Sequence, residues 1–122
     1  MSIAYSNVTN NSEVELVDRV YVLNAATGRY ENNFNARLIN NVILCNKHAT
    51  DSVTVKLWVR KYTDDGAGGE TETNFSILNN VLIPNGATLM LDKGDGVSFD
   101  NTDKKLYIQL SASDSAVDVI IR

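Results

Sequence analysis

A period of two dominates this chain. Val53, Val55, Leu57 and Val59 alternate with Thr54, Lys56, Trp58 and Arg60. Successive strand side chains point to opposite faces, so such a run is a strand with one dry side. Leu106, Ile108, Leu110 and Ala112 alternate with Tyr107, Gln109 and Ser111 in the same way, and Val117, Val119 and Ile121 with Asp118 and Ile120. No window carries apolar residues at i, i+3, i+4 and i+7 over three turns. The sequence therefore predicts no helix longer than about two turns.

Turn chemistry separates the runs. The stretch 46–52, NKHATDS, is a polar connection between two strands. TDDGAGGET (63–71) reads as an exposed hairpin loop, because glycine supplies positive φ and aspartate bonds its own backbone. IPNGAT (83–88) sets the one proline before Asn-Gly, DKGDG (92–96) is a tight corner, FDNTDKK (99–105) is a polar turn, and SASDSA (111–116) joins the last two strands. Upstream, VELVDRVYVL (14–23) and ARLINNVILCN (36–46) are predicted strands. The second is apolar on both faces, with Leu38, Val42 and Leu44 on one and Ile39, Ile43 and Cys45 on the other, which marks a central or partnered strand. NAATGRYENNFN (24–35) is a polar excursion holding Tyr30 and Phe34, long for a hairpin and suited to a contact loop.

About eight short strands with turns every 8–12 residues predict an all-β fold. Its form is an antiparallel β-sandwich of jelly-roll or Greek-key type. Residues 1–122 form one domain, with residues 1–35 as a contact arm and loop. Val55, Leu57, Leu89, Leu106, Ile108, Leu110, Val119 and Ile121 are the expected core.

Composition narrows the function. Net charge is −4 and the pI about 4.8, which argues against a nucleic-acid partner, since phosphate binding needs a basic face. No apolar run approaches the roughly 20 residues that span a bilayer, and no signal peptide is visible at the start. Cys45 is the only cysteine, so no intrachain disulfide can form and packing must hold the fold. The sequons at Asn7, Asn10 and Asn74 read as chance matches in an asparagine-rich chain.

Residues able to do chemistry are scarce. His48 lies three positions after Cys45, but one is in a turn and the other in a strand, so a loop histidine beside a buried thiol is the better reading than a nucleophile and its base. Asp92, Asp95, Asp100 and Asp103 raise the question of calcium. DKGDG lacks the later glutamate of a helix–loop–helix calcium site, and aspartate and glycine are ordinary turn residues. No catalytic residue, metal ligand set or cofactor is predicted.

Trp58 faces outward between Lys56 and Arg60 by the alternation. Three readings stand open: an interface anchor, a residue covered by the loop 24–35 or 63–71, or, with Tyr62 and Tyr107, a sugar platform.

The runs INNVILCNKHATDSVTVKLWV and LNNVLIPNGATLMLDKGDGVSFDNTDKKLYIQLSASDSAVDVII resemble small virion structural proteins of tailed bacteriophages, notably those of marine cyanophages. The shared look is an apolar strand ending in CN (42–46), a strand like VTVKLWV (53–59), the turn IPNGATLML (83–91), a GDGV corner (94–97), LYIQLSAS (106–113) and a closing VDVII (117–121). The resemblance covers roughly residues 36–122 and is a pattern of strands and turns, with no catalytic motif. Residues 1–35 depart from it, since NAATGRYENNFN stands where a VPAG-type turn is common. It implies a non-enzymatic protein of the virion, assembled in the host cytoplasm. Capsid decoration or cement is the first expectation; a tail, baseplate, adaptor or fibre component, or a carbohydrate-binding receptor module, is the alternative. The implied partners are major capsid or tail proteins and further copies of the chain. Trp58, Lys56, Arg60, Tyr30, Phe34, Ile39 and Ile43 are the candidate contact residues.

Overall fold

The structure is a computed structural model that describes residues 4–24, 26–32, 36–95 and 97–122. Twelve strands are present among them: β1 (Ala4–Val8), β2 (Val14–Val17), β3 (Tyr21–Asn24), β4 (Arg29–Asn32), β5 (Leu38–Ile39), β6 (Asn41–Asn46), β7 (Val53–Asp64), β8 (Glu70–Ile83), β9 (Thr88–Asp92), β10 (Phe99–Asp100), β11 (Lys104–Leu110) and β12 (Val117–Ile121). The one helical element among the described residues is a single 3-10 turn at Lys93–Asp95.

Eight strands build two four-stranded antiparallel sheets, ordered β1-β12-β6-β9 and β2-β11-β7-β8. The pairing is nested. Among these eight, the first strand pairs with the last, the second with the seventh, the third with the sixth, and the two middle ones form the β7–β8 hairpin. The chain is thus one long antiparallel ribbon folded over on itself. Two small ribbons, β3-β4 and β5-β10, lie outside this plan.

Alternation makes the core. Val42, Leu44, Val119 and Ile121 of the first sheet meet Val55, Leu57, Leu106 and Ile108 of the second in one buried cluster. Each such side chain contributes about 1.5–3 kcal/mol relative to an exposed one. Of the expected core, Leu89 is only half-buried and packs against that cluster, because β9 is an edge strand.

Two buried asparagines stitch the loops. Asn46 Nδ2 donates to the carbonyls of Asp51 (3.1 Å) and Ile83 (2.9 Å), and its Oδ1 accepts from His48 N (3.1 Å). Asn101 Nδ2 donates to Asp18 O (3.1 Å), and its Oδ1 accepts from Arg37 N (2.7 Å). Both replace backbone partners that irregular segments lack.

Three expectations are corrected. The stretch 36–46 is not one strand. Asn40 N and Asn41 N both donate to Arg122 O, at 2.8 and 3.1 Å, so two residues oppose one. The extra residue shifts the alternation. Ile39 therefore turns inward and is fully buried beside Val42, while Leu38 is exposed. Ile39 is a core residue and presents nothing to a partner. Next, 14–23 is two strands, broken at Asp18–Val20, where the backbone turns to bond Asn101. Last, much of the excursion 24–35 is the β3–β4 hairpin, closed by a turn ending at Gly28 (φ 69). Asn24 holds that turn, its Oδ1 accepting from Ala26 N and its carbonyl from Gly28 N. Phe34 lies outside the described residues.

Candidate interaction surfaces

The outer face of the first sheet carries a cross-strand row. Tyr5 on β1 opposes Ile120 on β12, Ile120 opposes Ile43 on β6, and Ile43 opposes Met90 on β9. Opposed residues of an antiparallel pair share a face, so these four form an apolar stripe across the full width of the sheet. Its ends are open: Tyr5 is 73% exposed and Met90 54%. A polar row flanks it, Asn7–Asp118–Cys45–Thr88 in the same register. There Asn7 Nδ2 donates to Asp118 Oδ1 at 2.6 Å, and Lys47 Nζ lies 3.1 Å from the same oxygen. These two bonds, Asn7's first, hold the Asp118 carboxyl below its usual range. An apolar centre with a hydrogen-bonded rim is the anatomy of a contact surface.

The outer face of the second sheet is a ladder of rings and cations. Trp58 stacks on its cross-strand neighbour Tyr107, with centroids 5.7 Å apart and planes at 9°. The Arg60 guanidinium lies 4.4 Å from the Tyr107 centroid and that of Arg19 lies 3.7 Å from the Tyr62 centroid. Lys105 Nζ sits 5.7 Å from Tyr62 and bonds Glu15 at 2.6 Å and Asp18 at 3.4 Å. Burial opposes the Lys105 charge, but Glu15 and Asp18 outweigh it and raise its pKa. Burial leads the causes that push the Tyr107 phenol up.

This arrangement corrects the expectation for Trp58. It does face away from the core, yet only 8% of it is exposed. Tyr107 stacks on it from the same face, where the expectation had named the loops 24–35 and 63–71. Trp58 is therefore no open anchor, and the three-ring sugar platform is lost because Trp58 offers no open face. Lys56 is exposed on that face, while Arg60 is half-buried and donates from Nε to Asn74 Oδ1 at 2.9 Å.

The ladder ends at Arg19, whose Nη1 and Nη2 meet Glu70 Oε2 and Oε1 at 2.6 and 2.9 Å. Glu70 is held below the usual carboxylate range first by the Arg19 hydrogen bond, with a further bond from Tyr30. This fork ties the β3–β4 side of the molecule to the β7–β8 hairpin. Between the hairpins lies an open groove of about 460 Å³, lined by Tyr21, Tyr30, Lys61, Tyr62, Thr63, Asp64 and Asp103. Tyr30 was among the contact candidates of the sequence, whereas Arg19 and Tyr21 were not. The signal was the Asp-Arg pair interrupting an apolar run, which marks a break in the strand.

Cys45 and His48 are not assembled into a catalytic pair. His48 Nδ1 accepts from Thr50 N (3.2 Å) and Asp51 N (3.0 Å), while Nε2 faces Asp114 Oδ2 at 3.3 Å. One ring nitrogen is spent on its own loop and the other on the 111–116 connection. Among the described residues, no three His, Cys, Asp or Glu side chains are grouped to hold a metal ion. No family model, no curated protein and no solved structure matches this chain.

Proposed function

We propose that this chain is a non-enzymatic structural protein of a bacteriophage particle, of the capsid decoration or cement type. It works as one copy of a symmetric homo-oligomer or repeated lattice, with major capsid or tail proteins as neighbours. The observation that carries the reading is the apolar row Tyr5–Ile120–Ile43–Met90, which crosses an entire sheet and ends in open side chains. A soluble fold gains nothing from such a stripe, whereas a neighbour's surface laid on it removes that area from water. A stable contact buries more than about 1,000 Å² in total, so the polar rim around Asn7, Asp118 and Lys47 belongs to it as well. The nested order of the eight strands supports the reading by analogy, since jelly rolls, which are eight-stranded double sheets, recur in viral capsid proteins. The likeness of residues 36–122 to phage virion proteins points the same way.

The test uses particles of the phage that encodes the chain. Proteomic inventory should find the chain in purified particles at a stoichiometry matching the particle's symmetry. Particles assembled without it should take up wild-type protein and fail to take up Met90→Glu, which buries a charge in the contact but sits on an exposed position. Absence from the particles, or full uptake of the variant, defeats the proposal. Gold labelling of heads against tails then separates decoration from a tail, baseplate or fibre position.

A further inference from the structure

The groove between the β3–β4 and β7–β8 hairpins lies away from the apolar row of the first sheet. We propose that it binds a neutral saccharide. Its volume, about 460 Å³, falls within the roughly 300–1,000 Å³ of small-molecule sites. Three tyrosines are among its lining residues. Tyr21 is 40% exposed, and its ring meets that of Tyr30 at 59° with centroids 6.0 Å apart. Two rings at that angle form a corner against which the C–H face of a pyranose can pack. Tyr62, whose ring is fixed under Arg19, is the third tyrosine of the lining.

The polar lining selects the ligand class. The residues that line the groove include the acids Asp64 and Asp103, the base Lys61 and the hydroxyl residue Thr63, a mixture of donor and acceptor types suited to a hydroxyl-rich ligand, because each hydroxyl donates and accepts. A phosphate would meet two carboxylates with Lys61 as the one lining cation. An organic cation would meet Lys61, and Asp103 is already engaged by Lys104 at 2.8 Å. A wholly apolar ligand would strip water from these groups without replacing it. A neutral polyol with an apolar face escapes all three penalties.

The groove is also built in advance. The Arg19–Glu70 fork joins its two sides, Tyr62 N donates to Asp103 O at 3.0 Å, and Tyr21 N donates to Thr102 O at 2.7 Å. Walls held in this way cost little ordering on binding. The inference is independent of the assembly role, since the apolar row lies on the other sheet.

The experiment is a titration of the ¹⁵N-labelled full chain with maltotriose, cellotriose and chitotriose, beside sodium phosphate and tetramethylammonium chloride. At least one trisaccharide should give saturable shifts at the amides of Tyr21, Lys61 and Asp64. Tyr21→Ala and Asp64→Asn should each weaken that binding about tenfold or more, a loss of about 1.4 kcal/mol or more, at an unchanged thermal midpoint. Should Tyr21→Ala lose its fold, Asp64→Asn decides alone, since its amide oxygen can still accept from Gly66 N, as Asp64 Oδ1 does at 2.9 Å. No shift with any of the three sugars, tighter groove binding of either charged probe, or sugar binding untouched by the variants overturns the proposal.

Discussion

Arg19 and Glu70 stand 51 positions apart in the chain, yet they meet through two parallel hydrogen bonds of 2.6 and 2.9 Å. Both side chains are mostly buried, at 10% and 14% exposure. The pair fixes the second sheet's ladder at one end and the groove's walls at the other. Glu70→Gln keeps the shape and removes the charge, and should cost about 1.5–3 kcal/mol, the range for hydrogen bonds to charged groups. Urea denaturation monitored by tryptophan fluorescence measures it; an unchanged midpoint would show the fork to be ornamental.

The same fork sets an acid limit. Glu70, Asp100 and Asp118 all have carboxyl pKa values lowered in the fold. A lowered folded value gives stability that is present above the unfolded value, about 4, and lost as pH falls through the folded one. Stability should therefore be flat from neutral pH down to about 5 and drop below about 4. Glu70→Gln should flatten part of that drop, as read from thermal midpoints along a pH series.

Trp58 belongs to the fold. Trp58→Ala removes the stack on Tyr107 and should cost about 3 kcal/mol or more. Trp58→Phe keeps a ring there and discards the indole Nε1, which is buried with no hydrogen-bond partner. It leaves a smaller void than alanine and should cost clearly less than Trp58→Ala. Equal losses in the two variants would mean that the stack contributes nothing.

Asn46 and Asn101 are fully enclosed and bond backbone groups, Asn46 in its own loop and at the end of β8, Asn101 in two distant segments. Truncation to alanine strands those groups, so each variant should lose about 1–3 kcal/mol per unsatisfied partner. A thermal midpoint within error of wild type for either variant would show that water replaces the side chain.

Nested pairing makes folding slow. Residue 4 pairs with residue 121 and residue 53 with residue 83, so most sheet contacts close long loops. Refolding from urea should take milliseconds to seconds, the range of all-β chains with non-local pairing. A microsecond phase with full amplitude by stopped-flow and temperature-jump fluorescence would contradict the nested order as the rate-limiting feature.

Periodicity alone determined the class of fold and most of the core. Leu106, Ile108, Leu110, Val119 and Ile121 are buried as their alternation requires, because a strand's side-chain period is set by local geometry. The turn at 63–71 was equally legible, since Asp65 Oδ1 bonds the amides of Ala67 and Gly69 within the same few residues. Tertiary structure decided the rest. Ile39 changed sides because Arg122, at the far end of the chain, offers one carbonyl to two successive amides. Trp58 gained its stacking partner because Tyr107 stands opposite it across β7 and β11, a register that no local signal carries. The apolar row and the groove depend on which strands become neighbours. A sequence states which face each side chain takes on its own strand, while the identity of the adjacent strand is fixed only when distant segments close the core together.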